Sequence, residues 1–340
     1  MEHKNEIHSI LIIKPGAIGD LLQLTPIIRA LSDNYPRAKI TLLVSSRVTA
    51  TLFQHNTRVA EVIFYDHRDE HRSFSSFMQL WRHLHENKID LLLQFQRSSL
   101  KAWLLATAAL PRRILVYHKT RDRLVHVVDN YFATIAPLGI SGQNRELELA
   151  VSEDERQFAD TFFTTNGLNS EVVIALNPGA SHPVNRWGTD QYAALADILA
   201  QKYAVRSIVV GSKEDQALAD EIAIKTSSMP VIATGGMTLL QLGAVLKKCT
   251  ILVSGDTGPL HLATAVGTRV IALFGAADPA RTGPLGTGHC VLQAEHVSCV
   301  PCRSRTCANT CYLECMKKIS VQMVVNTFLK MVQKKPHDAL

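Results

Sequence analysis

Three polar side chains sit where strand-ending loops run into helices, which is where chemistry is most easily done. Asp20 closes the loop Lys14-Pro-Gly-Ala-Ile-Gly-Asp20. A carboxylate there reads either as a helix N-cap or as a base that takes a proton from an attacking hydroxyl. Gly16 and Gly19 leave bare backbone beside it for a ligand to approach. Arg186 ends a longer loop, Asn177-Pro-Gly-Ala-Ser-His-Pro-Val-Asn-Arg-Trp-Gly188. Its guanidinium matches paired phosphate oxygens or a surface carboxylate equally well. Trp187 reads as a packing anchor beneath that loop, and Thr189 or Asp190 as the cap of the next helix.

His261 belongs to the third piece, Ser254-Gly-Asp-Thr-Gly-Pro-Leu-His-Leu-Ala-Thr-Ala-Val-Gly-Thr-Arg-Val-Ile-Ala-Leu-Phe-Gly275. The pattern predicts strand, polar turn, helix, tight turn, strand. Pro259 suits a first helical turn, where a missing N–H costs nothing, and Gly267 suits its stop. The free N–H groups at Asp256, Thr257 and Gly258, with the positive end of the helix dipole, make an anion site that His261 can also reach. After another strand comes Gly211-Ser-Lys-Glu-Asp215. Glu214 or Asp215 there reads as a ribose-binding acid or as a helix cap.

Several chemistries lack their residues. The first loop has no Gly-Lys-Ser/Thr and no Gly-x-Gly-x-x-Gly, so it is neither a P-loop nor a dinucleotide fingerprint. No two aspartates are separated by one residue, so the pair that would hold a metal–diphosphate is missing. Charge on a leaving diphosphate falls to Arg186, the turn before Pro259, and His261. Cys299, Cys302, Cys307, Cys311 and Cys315 crowd the tail at spacings that match no standard zinc module. They read as a structural metal site or as reduced thiols.

The elements that must carry these loops alternate. Strands are predicted at Ile10–Ile13, Ile40–Val44, Val62–Tyr65, Leu91–Phe95 and Ile114–Val116, with helical spacing at Leu21–Leu31 and Phe74–His85. The second half repeats the pattern. Its strands are Val172–Leu176, Ser207–Val210, Val231–Ile232, Ile251–Val253 and Val270–Phe274, and its helices Asp190–Lys202, Gln216–Thr226 and Leu239–Leu246. Such alternation means α/β with parallel sheets. Ile12-Ile-Lys-Pro-Gly-Ala17 and Ala175-Leu-Asn-Pro-Gly-Ala180 echo each other 163 residues apart, as two doubly wound units would. The polar stretch Ser152 to Ser170 is the expected hinge, and the loops are expected to line one cleft.

The chain has 340 residues, 46% of them hydrophobic, enough for two domains of ordinary size. No apolar run reaches the length of a membrane span, and the opening residues do not read as a signal peptide. A cytoplasmic protein is expected. The net charge of +6 is uneven: residues 1–150 hold 19 Lys and Arg against 14 Asp and Glu, residues 151–340 hold 17 against 16. Arg97, Lys101, Arg112, Arg113, Lys119, Arg121 and Arg123 face one acid in sequence, Asp122. They form a solvated surface or a seat for an acidic partner.

These motifs together resemble glycosyltransferase family 9, the ADP-heptose:lipopolysaccharide heptosyltransferases, over about residues 7 to 330. Gly19–Leu22 with Thr25-Pro26 resembles that family's first loop and helix. Asn177-Pro-Gly-Ala180 with Arg186-Trp187 is similar to its second-domain loop. The most specific piece is Asp256-Thr-Gly-Pro-x-His-x-Ala263 with Ala272-Leu-Phe-Gly275 and Thr282-Gly-Pro-Leu-Gly286. Pro301-Cys302 and Cys315-Met316 also recur in members.

The resemblance implies a GT-B fold, two Rossmann-like domains facing across a cleft. It implies an N-terminal acceptor domain over 1–165, a nucleotide-sugar domain over 166–317, and a helix over 318–335 crossing back to the first. It implies inverting transfer without metal or cofactor. Asp20 falls on the base. Arg186, Glu214 or Asp215, Asp256, Thr257, Gly258 and His261 fall on the donor site. Gly16, Gly19, Arg97, Lys101, Arg121 and Arg123 fall on the acceptor side. The implied partners are a nucleotide-sugar donor and an acidic glycolipid acceptor, with peripheral contact at the inner face of the membrane and no nucleic acid. A nucleotide-sugar 2-epimerase of the same architecture, or a non-catalytic nucleotide-sugar-binding protein, are the rival readings.

Overall fold

The computed structural model describes residues 7–66, 73–95, 107–118, 124–142, 144–169 and 172–333. Arg97, Lys101, Lys119, Arg121 and Arg123 lie outside the described residues. The chain forms two compact units, Met1–Ala150 and Val151–Leu340.

The first unit holds β1 (Ser9–Ile13), β2 (Lys39–Val44), β3 (Glu61–Phe64), β4 (Leu91–Gln94) and β5 (Arg113–Val116), all parallel in the order β3-β2-β1-β4-β5. β1 and β4 are buried almost throughout, which is why they read as unbroken apolar runs. The strand order reverses between β1 and β4. The loop after β1, which carries Lys14 to Ala17, therefore leaves the sheet at its switch point, where ligands of open α/β sheets bind.

The helix expected over Leu21–Leu31 is two helices. α1 (Ile18–Leu22) ends at Gln23, and α2 (Thr25–Asn34) restarts with Pro26 in its first turn. Pro26 has no N–H to continue a ladder but suits a new first turn. α3 (Phe74–Glu86) and α4 (Val127–Ile135) complete the longer helices described in this unit.

In the second unit β6 (Val173–Asn177), β7 (Arg206–Val209), β8 (Val231–Ile232), β9 (Ile251–Gly255), β10 (Arg269–Phe274) and β11 (Cys290–Gln293) form a parallel sheet ordered β11-β10-β9-β6-β7-β8. Its order reverses between β6 and β9. Asn177 is paired with Ser254 in register, so the two longest motif loops leave the sheet side by side.

The expected hinge at Ser152 to Ser170 is instead mostly helix, α5 (Glu153–Thr165). Ser152 and Glu155 form a reciprocal capping box that opens it. α5 packs on α8 (Leu239–Lys248), so it belongs to the second unit, and the division falls at 150/151 rather than near 165. α6 (Thr189–Tyr203), α7 (Gln216–Lys225), α9 (Gly258–Ala265) and α10 (Val321–Gln333) complete the larger helices. α10 lies within the segment expected over 318–335. Its Val324, Val325 and Phe328 are buried in the second unit's core with Leu176, Trp187 and Leu273. No helix among the described residues is long and apolar enough to cross a membrane.

Candidate functional site

In the first unit, Asp20 lies in the first turn of α1, but the N-cap is Ala17 and no side chain caps the helix. The capping alternative for Asp20 is thereby removed. Its carboxylate instead accepts from the Lys14 ammonium, Nζ to Oδ1 at 3.2 Å. The Lys14 side chain is 11% exposed and that of Asp20 44%, so a buried cation backs a solvent-facing carboxylate. The Lys14 ammonium also stands 5.4 Å from the centre of the Tyr131 ring of α4, and burial, then the charge of Asp20, push the Tyr131 phenol well above its usual value. A Cβ on Gly16 would stand 2.9 Å from the Asp20 Cβ and 3.4 Å from its Oδ2. The glycine thus lets the loop fold closely over the acid.

Sequence reasoning missed Tyr131. It follows the described strands of its unit, far from Asp20 in sequence, and its approach comes only from the packing of α4. Of the basic cluster, two members are described. Arg112 pairs with Asp90 at 3.3 Å, and Arg113 donates to the Pro137 carbonyl at 2.9 Å. Asp90 is thus a counter-charge that the local sequence hides.

The second unit gathers its residues at the ends of β6, β7 and β9. Asn177 Nδ2 donates to Ser254 Oγ at 2.9 Å, to Thr257 Oγ1 at 3.0 Å and to the Gly179 carbonyl at 3.2 Å. Ser254 and Thr257 also join hydroxyl to hydroxyl at 2.9 Å. This fixes the turn before α9, which starts as expected, with Thr257 as N-cap and Pro259 in the first turn. Thr257 Oγ1 is spent on Asn177 and Ser254, and no side chain caps α9. Gly267, at φ +84°, stands just beyond the helix end.

His261 is buried, with Nε2 3.8 Å from Asp256 Oδ1. Asp256 Oδ2 accepts from the Thr282 hydroxyl at 3.1 Å. The Asp256 motif and the Thr282-Gly-Pro motif, separate in sequence, therefore meet.

Arg186 donates to the Ala180 carbonyl at 3.1 Å, across its own loop, and its buried Nε has no partner among the described residues. Trp187 is the packing anchor expected. It is 3% exposed, meets Tyr192 edge-on at 5.1 Å, and donates from its indole to the Ile319 carbonyl at 2.7 Å. The N-cap of α6 is neither Thr189 nor Asp190 but Gly188, at φ +117°. Only glycine takes that backbone shape without strain.

Glu214 and Asp215 separate. Asp215 accepts from the Ser212 N–H at 2.9 Å and the Ser212 hydroxyl at 2.8 Å, closing a capping box. A Cβ on Gly179 would lie 2.3 Å from its carboxylate, so Asp215 is wedged against the Pro-Gly-Ala loop. Glu214 is exposed, and its own N–H, then the Ser212 hydroxyl, hold its carboxyl below the usual range.

A cavity lies elsewhere in the second unit. About 360 Å³ is lined by Cys299, Cys302, Cys307 and Cys315 with Val184 and Leu313. All seven cysteines are free thiols, and among the described residues no three His, Cys, Asp or Glu side chains are arranged to hold a metal ion.

Residues 77–313 match the sequence model of Glycosyltransferase family 9 (heptosyltransferase). The chain is 25% identical over 293 residues to the lipopolysaccharide core heptosyltransferase OpsX of Haemophilus influenzae, covering 81% of each chain. Among solved structures it is similar to a glycosyl transferase family 9 protein from Veillonella parvula, with TM-score 0.85 and 21% identity over 96% of this chain and 98% of that one. It is also similar to the E. coli ADP-heptose lps heptosyltransferase II, with TM-score 0.77 and 22% identity over 96% and 98%. Those structural likenesses bear on the fold alone, and two parallel α/β units of this kind are the GT-B class expected. With more than half of its length inside the family match, the chain belongs to glycosyltransferase family 9 and is an enzyme of the heptosyltransferase kind.

Proposed function

We propose that this enzyme moves heptose from ADP-L-glycero-D-manno-heptose to the lipopolysaccharide inner core by a single inverting displacement that uses no metal. One observation carries the reading: Asp20 is a solvent-facing carboxylate, not spent on capping, in the switch-point loop of β1. The relatives, a lipopolysaccharide core heptosyltransferase and an ADP-heptose lps heptosyltransferase, support the substrates. The missing Asp-x-Asp pair supports metal independence.

In the reaction the acceptor hydroxyl gives its proton to Asp20 as its oxygen attacks the anomeric carbon. The bond from that carbon to the diphosphate oxygen breaks, and ADP leaves with the electron pair. Arg186, the N–H groups at Asp256, Thr257 and Gly258, and His261 meet the charge that develops on the diphosphate. Glu214, whose carboxyl is free of the cap that occupies Asp215, takes the ribose hydroxyls. On the acceptor side we assign Gly16 and Gly19, with Arg97, Lys101, Arg121 and Arg123 as counter-charges to core carboxylates and phosphates. The work takes place in the cytoplasm, with peripheral contact at the inner face of the membrane.

Incubation with ADP-heptose and defined core acceptors should add the mass of one heptose. Transfer only from another nucleotide sugar would replace the donor. Conversion of the nucleotide sugar with no acceptor present would replace the reaction.

A further inference from the structure

A carboxylate stands in the turn assigned to the donor diphosphate. Asp256 opens that turn, and its two oxygens face different groups. Oδ2 accepts from the Thr282 hydroxyl at 3.1 Å, and Oδ1 lies 3.8 Å from His261 Nε2. Thr282 is itself set by a chain of fixed contacts. It ends the short helix Pro279–Thr282, and its N–H bonds the Asp278 carbonyl at 3.2 Å. The buried Asp278 caps that helix, its Oδ1 accepting from the Ala280 N–H at 3.0 Å. Its Oδ2 is gripped by the Arg303 guanidinium, through Nε at 3.1 Å and through Nη2. Arg303 comes from the Cys-rich tail, next to Cys302, and its own N–H bonds the Ala276 carbonyl at 2.7 Å, just beyond β10. Its backbone sits at φ +57°, a left-handed shape that residues other than glycine adopt at a cost.

We propose that Thr282 is a positioning residue for the Asp256 carboxylate, holding its charge on the Thr282 side of the turn so that the diphosphate meets N–H groups and His261 instead of a like charge. The inference rests on the assignment of this turn to the donor diphosphate. A free carboxylate in a seat for anions repels the ligand, and the repulsion grows as water is excluded. A hydroxyl donor at a fixed place offsets part of that charge and confines the side chain to one rotamer. Asp278 and the short helix supply the fixed place. Arg303 acts on the turn through them.

Titration of ADP and of adenosine into the wild type and into Thr282→Val tests this. The substitution deletes the hydroxyl and keeps the branched shape. ADP affinity is expected to fall by about tenfold, the worth of a charged hydrogen bond. Adenosine binding should not change, since adenosine brings no charge to the turn. In an Asp256→Asn background there is no carboxylate charge to hold, and Thr282→Val should then alter ADP affinity by less than about twofold. Thr282→Ser keeps the donor and should restore most of the affinity. A merely structural threonine would weaken ADP and adenosine alike, and in both backgrounds, which overturns the proposal. Should Thr282→Val fail to fold, Thr282→Ala deletes the same hydroxyl and must show the same split between ADP and adenosine. A wild type that binds no ADP overturns the donor reading and this inference with it. A wild type that binds ADP, beside a Thr282→Val variant that binds it equally well, overturns this inference alone.

Discussion

Asn177 Nδ2 lies 3.0 Å from Thr257 Oγ1, tying the end of β6 to the residue that opens α9. Asn177 is 2% exposed, and its amide also serves Ser254 and Gly179. The anion site at the turn before α9 is thus held by a side chain from a different strand.

Asn177→Ala leaves the hydroxyls of Ser254 and Thr257 short of a donor. The expected cost is about 1–3 kcal/mol of stability, read by urea unfolding, together with a higher donor KM and a smaller change in kcat. Unchanged stability and KM would show that the turn holds itself.

Glu214 and Asp215, adjacent in sequence, should respond differently. Asp215→Ala removes a cap and should cost about 1 kcal/mol, seen as a lower thermal midpoint. Glu214→Ala touches no cap. It should leave the midpoint in place and weaken donor binding by about tenfold, the worth of a charged hydrogen bond. A stable Asp215→Ala with poor donor binding would exchange the two roles.

Asp197 on α6 gives the fold a pH signature. Partial burial pushes its carboxyl up, but the Thr226 hydroxyl and the Ser227 and Ser228 N–H groups, at 3.0 and 2.8 Å, outweigh that and leave it below its usual value. A carboxyl lowered in the folded state stabilises above its unfolded value of about 3.9 and loses that effect as the pH falls through the folded value. Asp197→Ala should therefore melt lower than the wild type at pH 7. The gap should narrow as the pH falls below the unfolded value and through the lower folded one. A gap that is constant across this range would remove the electrostatic contribution.

Much of this arrangement is readable along the chain, because buried parallel strands write themselves as unbroken apolar runs. The twin Pro-Gly-Ala loops mark β1 and β6 for the same reason, and Thr257-Gly-Pro announces α9 with its own cap-and-proline chemistry. β11 escaped notice, since an edge strand with a half-exposed Cys290–Gln293 has no such run. The segment read as a hinge carries a Ser152–Glu155 capping box in plain view, but its weakly apolar helix hides behind its charge. Tyr131 could not be found at all. Nothing near it in sequence signals the loop of β1, and its ring reaches Lys14 only through the packing of α4.

The assignment of Asp20 as the base is tested most directly by the turnover of Asp20→Asn at saturating donor and acceptor, beside a titration of donor binding. The account expects donor affinity to be unchanged and kcat to fall by about 10²–10⁴-fold, the usual worth of a general base. A kcat equal to that of the wild type would contradict it.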